Sequence, residues 1–406
     1  MNVILLEPAF PGYQREFARA LAEIGATVIG IGERSRHELD PDPGRWLSHY
    51  EQVPSVVDEH ALLAAVRRIQ GRVWVDRLEA TIEAHVLPAA RVREHCTIPG
   101  TSVRTAWLCR DKPSMKEVLR AAGIPCARTL GTDSTKEAVR FAERVGFPLI
   151  VKPRSAAGAS GTVRVDDRRA FHVALTNAGV GRGESVALEE FIEGHEGFLD
   201  TLTVGGNVQH EFITHYYPNV LEAMRERWIS PQMVATNRIG EDGYSELRTV
   251  ARKVITALGI ETSATHMEWF SGPKGLAISE IGCRPPGVAH WQVYNDANDM
   301  DLYRDWALAV THRRVEQSPA RRYACGLIAL RPERDGRISG YEGTERIWHE
   351  MGPWITGSHF PAPGTPTQPV AAGYMANVWL RVRHPDYDVL RSMLDQIGQS
   401  IRVRAC

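Results

Sequence analysis

The stretch ATHMEWFSGPKGLAISEIGCRPPG, residues 264–287, reads as two strands joined by a turn at SGPKG, and its register decides what the chain can do. Side chains on a strand alternate between faces, so the pairing of the two strands determines whether Glu268 and Glu280 share one. With the turn centred on Pro273, Ile278 lies opposite Glu268, and Glu280 is its diagonal neighbour on the same face. Any register whose paired residue numbers have an even sum keeps both carboxylates together, and an odd sum separates them. Two acids held side by side repel unless a cation joins them. A divalent metal bound by one or two carboxylates is the common solution in phosphoryl-transfer sites. Taken alone, Glu280 is explained equally well by a solvated strand face or by an ion pair with Arg284.

The neighbouring motifs favour the metal. Upstream, FPLIVKP (147–153) ends a buried-type strand in Lys152 and runs into RSAAGASGTVRV (154–165), which is small and glycine-rich. Such residues let backbone N–H groups approach an anion closely, and a lysine beside them neutralises phosphate charge. No G-x-x-x-x-G-K-[ST] occurs, so the chain is not a P-loop protein. Earlier still, CRDKPSMKEVLRAAGIP (109–125) places Lys112 at a helix start, where the helix dipole disfavours a cation. In VALEEFIEGHEGFLD (186–200) an apolar strand reaches Glu189, passes Phe191 and Ile192, and arrives at Glu196. A backbone edge with apolar cover can hold adenine, and a carboxylate can accept from ribose hydroxyls. Separately, each of these acids reads as a surface charge.

In this order the motifs resemble the ATP-grasp superfamily, over roughly residues 100–290. The resemblance implies that Lys112 and Lys152 contact ATP phosphates and that Ser155 to Gly161, with Ser155, Gly158, Ser160 and Gly161 as contacts, form the loop that closes over them. It implies that Glu189, Phe191 and Ile192 hold adenine, that Glu196 holds ribose, and that Glu268 and Glu280 bind Mg2+. Arg284, with Lys152, is the expected catalytic residue, steadying the transferred phosphoryl group. The family usually carries E-I-N-P-R, whereas this chain has Glu280-Ile281-Gly282-Cys283-Arg284, so one oxygen ligand is replaced by glycine.

The likeness extends to the biotin-carboxylase-like branch, and within it to carboxylate–amine ligases that include enzymes joining two L-amino acids. It implies an α/β chain with a Rossmann-like N-terminal domain (1–105), a two-lobed ATP-grasp domain (106–315, smaller lobe 126–190) and a small α+β C-terminal domain (316–406). The expected reaction is ATP-dependent carbon–nitrogen ligation through an acyl phosphate, with small-molecule carboxylate and amine substrates. Bicarbonate activation, as in biotin carboxylase, and a non-catalytic nucleotide-binding sensor are the alternatives. Three residues are candidate substrate contacts. Glu83, on the long helical pattern VDRLEATIEAHVLPAARVREH (75–95), would grip an ammonium, His290 would face the acceptor pocket, and His266 shares the strand face of Glu268. Helix-face or core roles are the alternatives for Glu83 and His290.

The rest of the chain bounds these readings. Its 406 residues exceed one ordinary core, and 43% hydrophobic with 24% charged residues is a globular composition. A formal charge of -1 argues against a nucleic-acid or anionic-membrane partner. Six scattered cysteines without C-x-x-C, a first segment MNVILLEPAF lacking a basic n-region, and no spanning apolar run lead us to expect a reduced, cytoplasmic protein. Base rates among soluble oligomers suggest a homodimer. Residues 2–31 alternate strand, helix and strand, the pattern of a helix-covered parallel sheet. The Gly30-x-Gly32 pair follows the second strand and lacks a third glycine, so it is not a dinucleotide fingerprint.

Overall fold

A computed structural model describes residues 1–39, 45–154, 161–224, 226–288, 290–370 and 374–406. Ser155, Gly158 and Ser160 therefore lie outside the described residues. At the N-terminus, β1 (Asn2–Leu6), β2 (Thr27–Gly32), β3 (His49–Gln52) and β4 (Arg77–Glu79) form a parallel sheet in the order β3-β2-β1-β4. Alternation along β1 feeds two cores. Val3 and Leu5 pack with Phe17 and Leu21 of helix Arg15–Glu23. Ile4 and Leu6 pack with Leu62, Val66, Ala89 and Val92 from helices Glu59–Gln70 and Val86–His95.

The long helix expected over 75–95 is instead β4, a 3-10 turn at Glu83–His85, and helix Val86–His95. The cause is tertiary, because β1 has an open edge that β4 completes, pairing Val3 with Arg77 and Ile4 with Leu78. Glu83 thus sits in the turn beyond the carboxyl end of a parallel strand, where open α/β sheets place ligand-binding groups.

The smaller lobe contains β5 (Thr129–Thr132), β6 (Leu149–Pro153), β7 (Val163–Val165) and β8 (Val186–Glu190), ordered β5-β8-β6-β7 and antiparallel. Leu149, Val151, Val186 and Leu188 face Phe141 and Phe171 on helices Thr135–Val145 and Arg168–Asn177. The alternate residues, Lys152 and Glu189, consequently occupy the other face.

The large sheet joins β9 (His195–Val204), β10 (Asn207–Tyr217), β11 (Gln232–Ala235), β12 (Ser263–Gly272), β13 (Gly275–Gly282) and β14 (Ala324–Ala329). It continues through β17 (Trp379–His384) to β16 (Ile355–His359), in the order β13-β12-β9-β10-β11-β14-β17-β16. Helices His290–Asn298 and Leu302–His312 cover Phe198, Leu202 and Phe212 on one face. Helix Ser245–Leu258 covers Leu199, Ile213 and Met267 on the other. Phe17 of the N-terminal unit inserts among Trp291, Tyr303 and Trp306, with ring centroids 4.9–5.2 Å away.

The sheet crosses the boundary expected at residue 315. β11 has an edge to cover, and β14 pairs with it from Gln232↔Ile328 to Ala235↔Cys325. Apart from the ribbon of β15 (Ile338–Glu342) and β18 (Arg402–Ala405), the described strands after residue 316 extend that central sheet. No helix among the described residues is long and apolar enough to cross a membrane.

Candidate active site

The β12–β13 hairpin brings the two carboxylates together by a route the sequence conceals. Its turn pairs Gly272 with Gly275, an odd-sum register that persists through Trp269↔Ile278. Run on unbroken, it would set Ser279 opposite Glu268 and turn Glu280 to the other face. A β-bulge intervenes between Glu268 and Trp269, leaving Ser279 as the extra residue, and the parity changes. Glu268 then lies directly opposite Glu280, and His266 opposite Gly282. Ile278 faces Trp269 rather than Glu268, which corrects the expected register while preserving the shared face.

On its other side β12 pairs with β9, with Glu268↔Phe198 and Phe270↔Glu196. Glu196 therefore shares the carboxylate face. Its Oε2 accepts from the Val220 amide at 2.7 Å, and its own N–H donates to Asn219 Oδ1 at 3.0 Å. Burial, together with the charge of Glu268, pushes this carboxyl up to about 8.

Lys112 opens helix Lys112–Ala121, whose cap Asp111 accepts from the Ser114 amide and is gripped by Arg154 at 2.6 and 3.2 Å. Lys112 Nζ stands 3.3 Å from Glu280 Oε2, and Lys152 Nζ stands 3.8 Å from the same oxygen. Lys152 also meets Glu189 Oε2 at 2.8 Å. The structure thus brings both expected lysines to Glu280, with Glu189 linking Lys152 to a third.

That third cation is Lys116, which sequence reading missed. It is fully buried, with Nζ 2.7 Å from Glu189 Oε1, although their angle is poor for a hydrogen bond. Burial would raise the Glu189 carboxyl, but Lys116 and Lys152 outweigh it and bring it down to about 2. For Lys116 burial prevails, and its pKa falls despite Glu189. The signal lay in the helix pattern: Lys112, Met115, Lys116 and Leu119 form one buried stripe, and a lysine within such a stripe needs a partner.

Arg284 Nε donates to Glu83 Oε2 at 2.7 Å, and Arg110 donates to Glu83 Oε1 at 2.9 Å. Burial pushes the Glu83 carboxyl up, but these guanidiniums prevail and hold it below the ordinary range. Both oxygens of Glu83 are therefore on arginines, which corrects the expected grip on a substrate ammonium.

His266 Nδ1 bonds Asp200 Oδ1 at 2.7 Å, and its Nε2 lies 3.8 Å from Glu268 Oε1. The Tyr294 hydroxyl donates to the other oxygen of Asp200 at 2.5 Å, so His266 stands at the site, oriented from behind. His290 lies in the core. It is 1% exposed, contacts Thr214 Oγ1 at 3.1 Å through Nε2, and packs edge-on against Phe198. Burial pushes it down to about 3, so it is a neutral core ring. Phe191 and Ile192 follow β8 half-buried, with the Arg164 guanidinium 4.3 Å from the Phe191 ring centroid. Gly161 adopts φ 68°, a left-handed turn suited to glycine.

The donor set suits magnesium. Glu268 and Glu280 offer hard oxygens from adjacent strands with side chains 23% and 27% exposed. No cluster of three or more metal-binding side chains occurs among the described residues. Mg2+ needs only one or two carboxylates, completing its shell with phosphate and water, so a two-carboxylate site fits it.

The profile of the ATP-grasp domain matches residues 117–297, the segment that contains Lys152, Glu189, Glu268, Glu280 and Arg284. The chain carries an ATP-grasp domain. The L-arginine-specific L-amino acid ligase of Bacillus subtilis is 26% identical over 297 residues, 70% of this chain and 71% of that one. Among solved structures, an L-amino acid ligase from Bacillus licheniformis superposes with a TM-score of 0.78 at 18% identity, covering 100% of this chain and 98% of its own. The biotin carboxylase domain of Hydrogenobacter thermophilus 2-oxoglutarate carboxylase, solved as a dimer with MgADP and bicarbonate, gives 0.71 at 18% identity, over 99% and 90%. At these identities the two structures show a shared fold along nearly the whole chain and nothing finer.

Proposed function

We propose that the chain is an ATP-dependent carboxylate–amine ligase, forming an amide or peptide bond through an acyl phosphate and releasing ADP and phosphate. The observation that carries this reading is the meeting of Lys112 and Lys152 at Glu280, directly across the hairpin from Glu268. Phosphoryl transfer demands positioning and charge neutralisation more than covalent help from protein. In this reading Lys112 and Lys152 move from carboxylate partners to phosphate oxygens when ATP enters. Glu189, Phe191 and Ile192 border the adenine, and Glu196 accepts from the ribose.

Glu268 and Glu280 would hold Mg2+, which supplies neutralisation of charge on the transferring phosphoryl group. Arg284 faces the same group and then the acyl phosphate. The carboxylate substrate attacks the γ-phosphorus, ADP departs, and the amine attacks the acyl carbon with loss of phosphate. The name of the Bacillus subtilis relative supports amino acids as substrates.

The test is a phosphate-release screen over pairs of amino acids, with mass analysis of the product. Phosphate should appear only when a carboxylate and an amine are both present, alongside a condensed product. Turnover indifferent to every pair, or turnover dependent on biotin with bicarbonate, would overturn the assignment.

A further inference from the structure

The exchange of asparagine for Gly282 has a structural counterpart. A Cβ placed on Gly282 would lie 3.0 Å from Glu83 Oε2 and 3.5 Å from Arg284 Nε. That first contact is tighter than a side chain tolerates without displacement, and an asparagine would carry its amide further into the same space. The volume beside Gly282 is filled by the carboxylate of Glu83. That carboxylate arrives from the N-terminal sheet, whereas Gly282 and Arg284 belong to the large sheet and the loop after it.

Glu83 ties its own turn to two other parts of the chain that must be in register with it. Oε2 takes Arg284 Nε, and Oε1 takes Arg110, two residues before Lys112. The Glu83 and Arg284 side chains are 18% and 17% exposed, so the pair is largely shielded from water. Arg284 is further restrained by its Nη1 bond to the Pro285 carbonyl at 2.8 Å. Nε and Nη1 are thus both engaged, and among the described residues Nη2 is the nitrogen without a protein partner. A guanidinium held at two of its nitrogens presents the third in a fixed plane.

We propose that Glu83 is the positioning residue of Arg284, and that glycine at 282 provides the room this clamp requires. The catalytic consequence rests on the ligase reading above, whereas the contact itself does not. With Glu83 in place, Arg284 meets the terminal phosphoryl group pre-oriented, and Arg110 couples that orientation to the strand turn supplying Glu83. Without it, Arg284 keeps its charge and loses its aim.

Two measurements test this, neither needing the amine or carboxylate substrate. The first is a melting-temperature cycle on the nucleotide-free protein with G282N, E83A and the double variant. G282N should lower the melting temperature in the wild-type background and lower it much less in the E83A background, which already lacks the carboxylate; equal losses in both backgrounds would refute the shared space. The second is calorimetry of ATP and ADP binding with Mg2+ for wild type, E83A, E83Q, R284A and the E83A/R284A double variant. R284A should reduce the preference for ATP over ADP about ten- to a hundredfold, as expected for a lost charge-assisted contact.

E83A should reproduce most of that reduction, E83Q a smaller part, and the double variant should add little to R284A. Should E83A fail to fold, E83Q carries the same comparison. An unchanged ATP preference in E83A and E83Q while R284A loses it sinks the positioning role alone. An unchanged preference in R284A sinks it too, because Arg284 would then have no phosphoryl contact to aim. Wild-type protein that binds neither nucleotide would instead sink the ligase reading.

Discussion

Replacing Glu189 with glutamine tests the electrostatics of the cleft most severely. Its side chain is 6% exposed, and its carboxylate is the ion-pair partner of fully buried Lys116 at 2.7 Å and of Lys152 at 2.8 Å. E189Q keeps the volume and removes the charge. Lys152 retains Glu280 at 3.8 Å, but Lys116 is left with its cation inside the protein and no adjacent carboxylate. Leaving one member of a buried pair uncompensated costs about 3–5 kcal/mol. For a domain of this class that lowers the melting temperature by roughly 6–20 °C. The assay is thermal denaturation of the nucleotide-free protein followed by near-UV circular dichroism. The double variant K116M/E189Q removes both charges, and because apolar groups of similar volume often replace a buried ion pair without loss, it should recover most of the deficit. It should not recover ADP binding, which in this reading uses the Glu189 position. E189Q as stable as wild type, or a double variant no better than the single one, would refute the reasoning.

Substituting Glu280 or Glu268 by glutamine should cut turnover at least about a hundredfold and weaken the Mg2+ dependence of ADP binding measured by calorimetry, while melting temperatures stay near wild type. Burial pushes His215 and His290 down to about 3, from an ordinary histidine near 6.5. Between these values the unfolded chain binds more protons than the native one, so stability rises with pH across that window and is lost as pH falls below about 6.5. The two together contribute a slope of up to about 2.7 kcal/mol per pH unit. Urea denaturation between pH 5 and 7 should show it, and H215Q or H290Q should each remove about half. G197A should lower the melting temperature, because a Cβ there would lie 2.4 Å from the Trp269 ring and 2.6 Å from the Thr214 carbonyl. Overpacking of this kind costs about 1–3 kcal/mol.

Much of the cleft was legible because its residues interrupt patterns. Lys152 ends an apolar strand, Glu189 follows another apolar run, and Lys112 occupies a helix start, so each breaks a local rule in a way a ligand site explains. Lys116 obeyed the apolar helical stripe by position and violated it by chemistry, and reading position alone overlooked it. The segment 75–95 misled for the opposite reason. Its helical spacing is real from Val86 onward, but Arg77–Glu79 is claimed by the free edge of β1, a contact across 74 residues that no local pattern announces. The ion pair of Glu83 with Arg284 spans 201 residues and was hidden likewise.

The hairpin separates what a sequence pattern can decide from what it cannot. Both carboxylates were legible, as was the rule that parity governs their faces. The parity itself was not, because a two-residue turn at Pro273–Lys274 sets it odd and the bulge at Ser279 sets it even. A bulge is stabilised by what surrounds the strand. Here Ile278, the residue before it, donates its amide to the Pro125 carbonyl at 2.8 Å and bridges Cys126, on the segment that follows the helix carrying Lys112 and Lys116. The same connection that delivers the lysines thus clamps the strand next to the irregularity that turns Glu280 toward them. Register, metal pair and phosphate cations follow from one packing arrangement, so a change that frees Ile278 from Pro125 would disturb all three together.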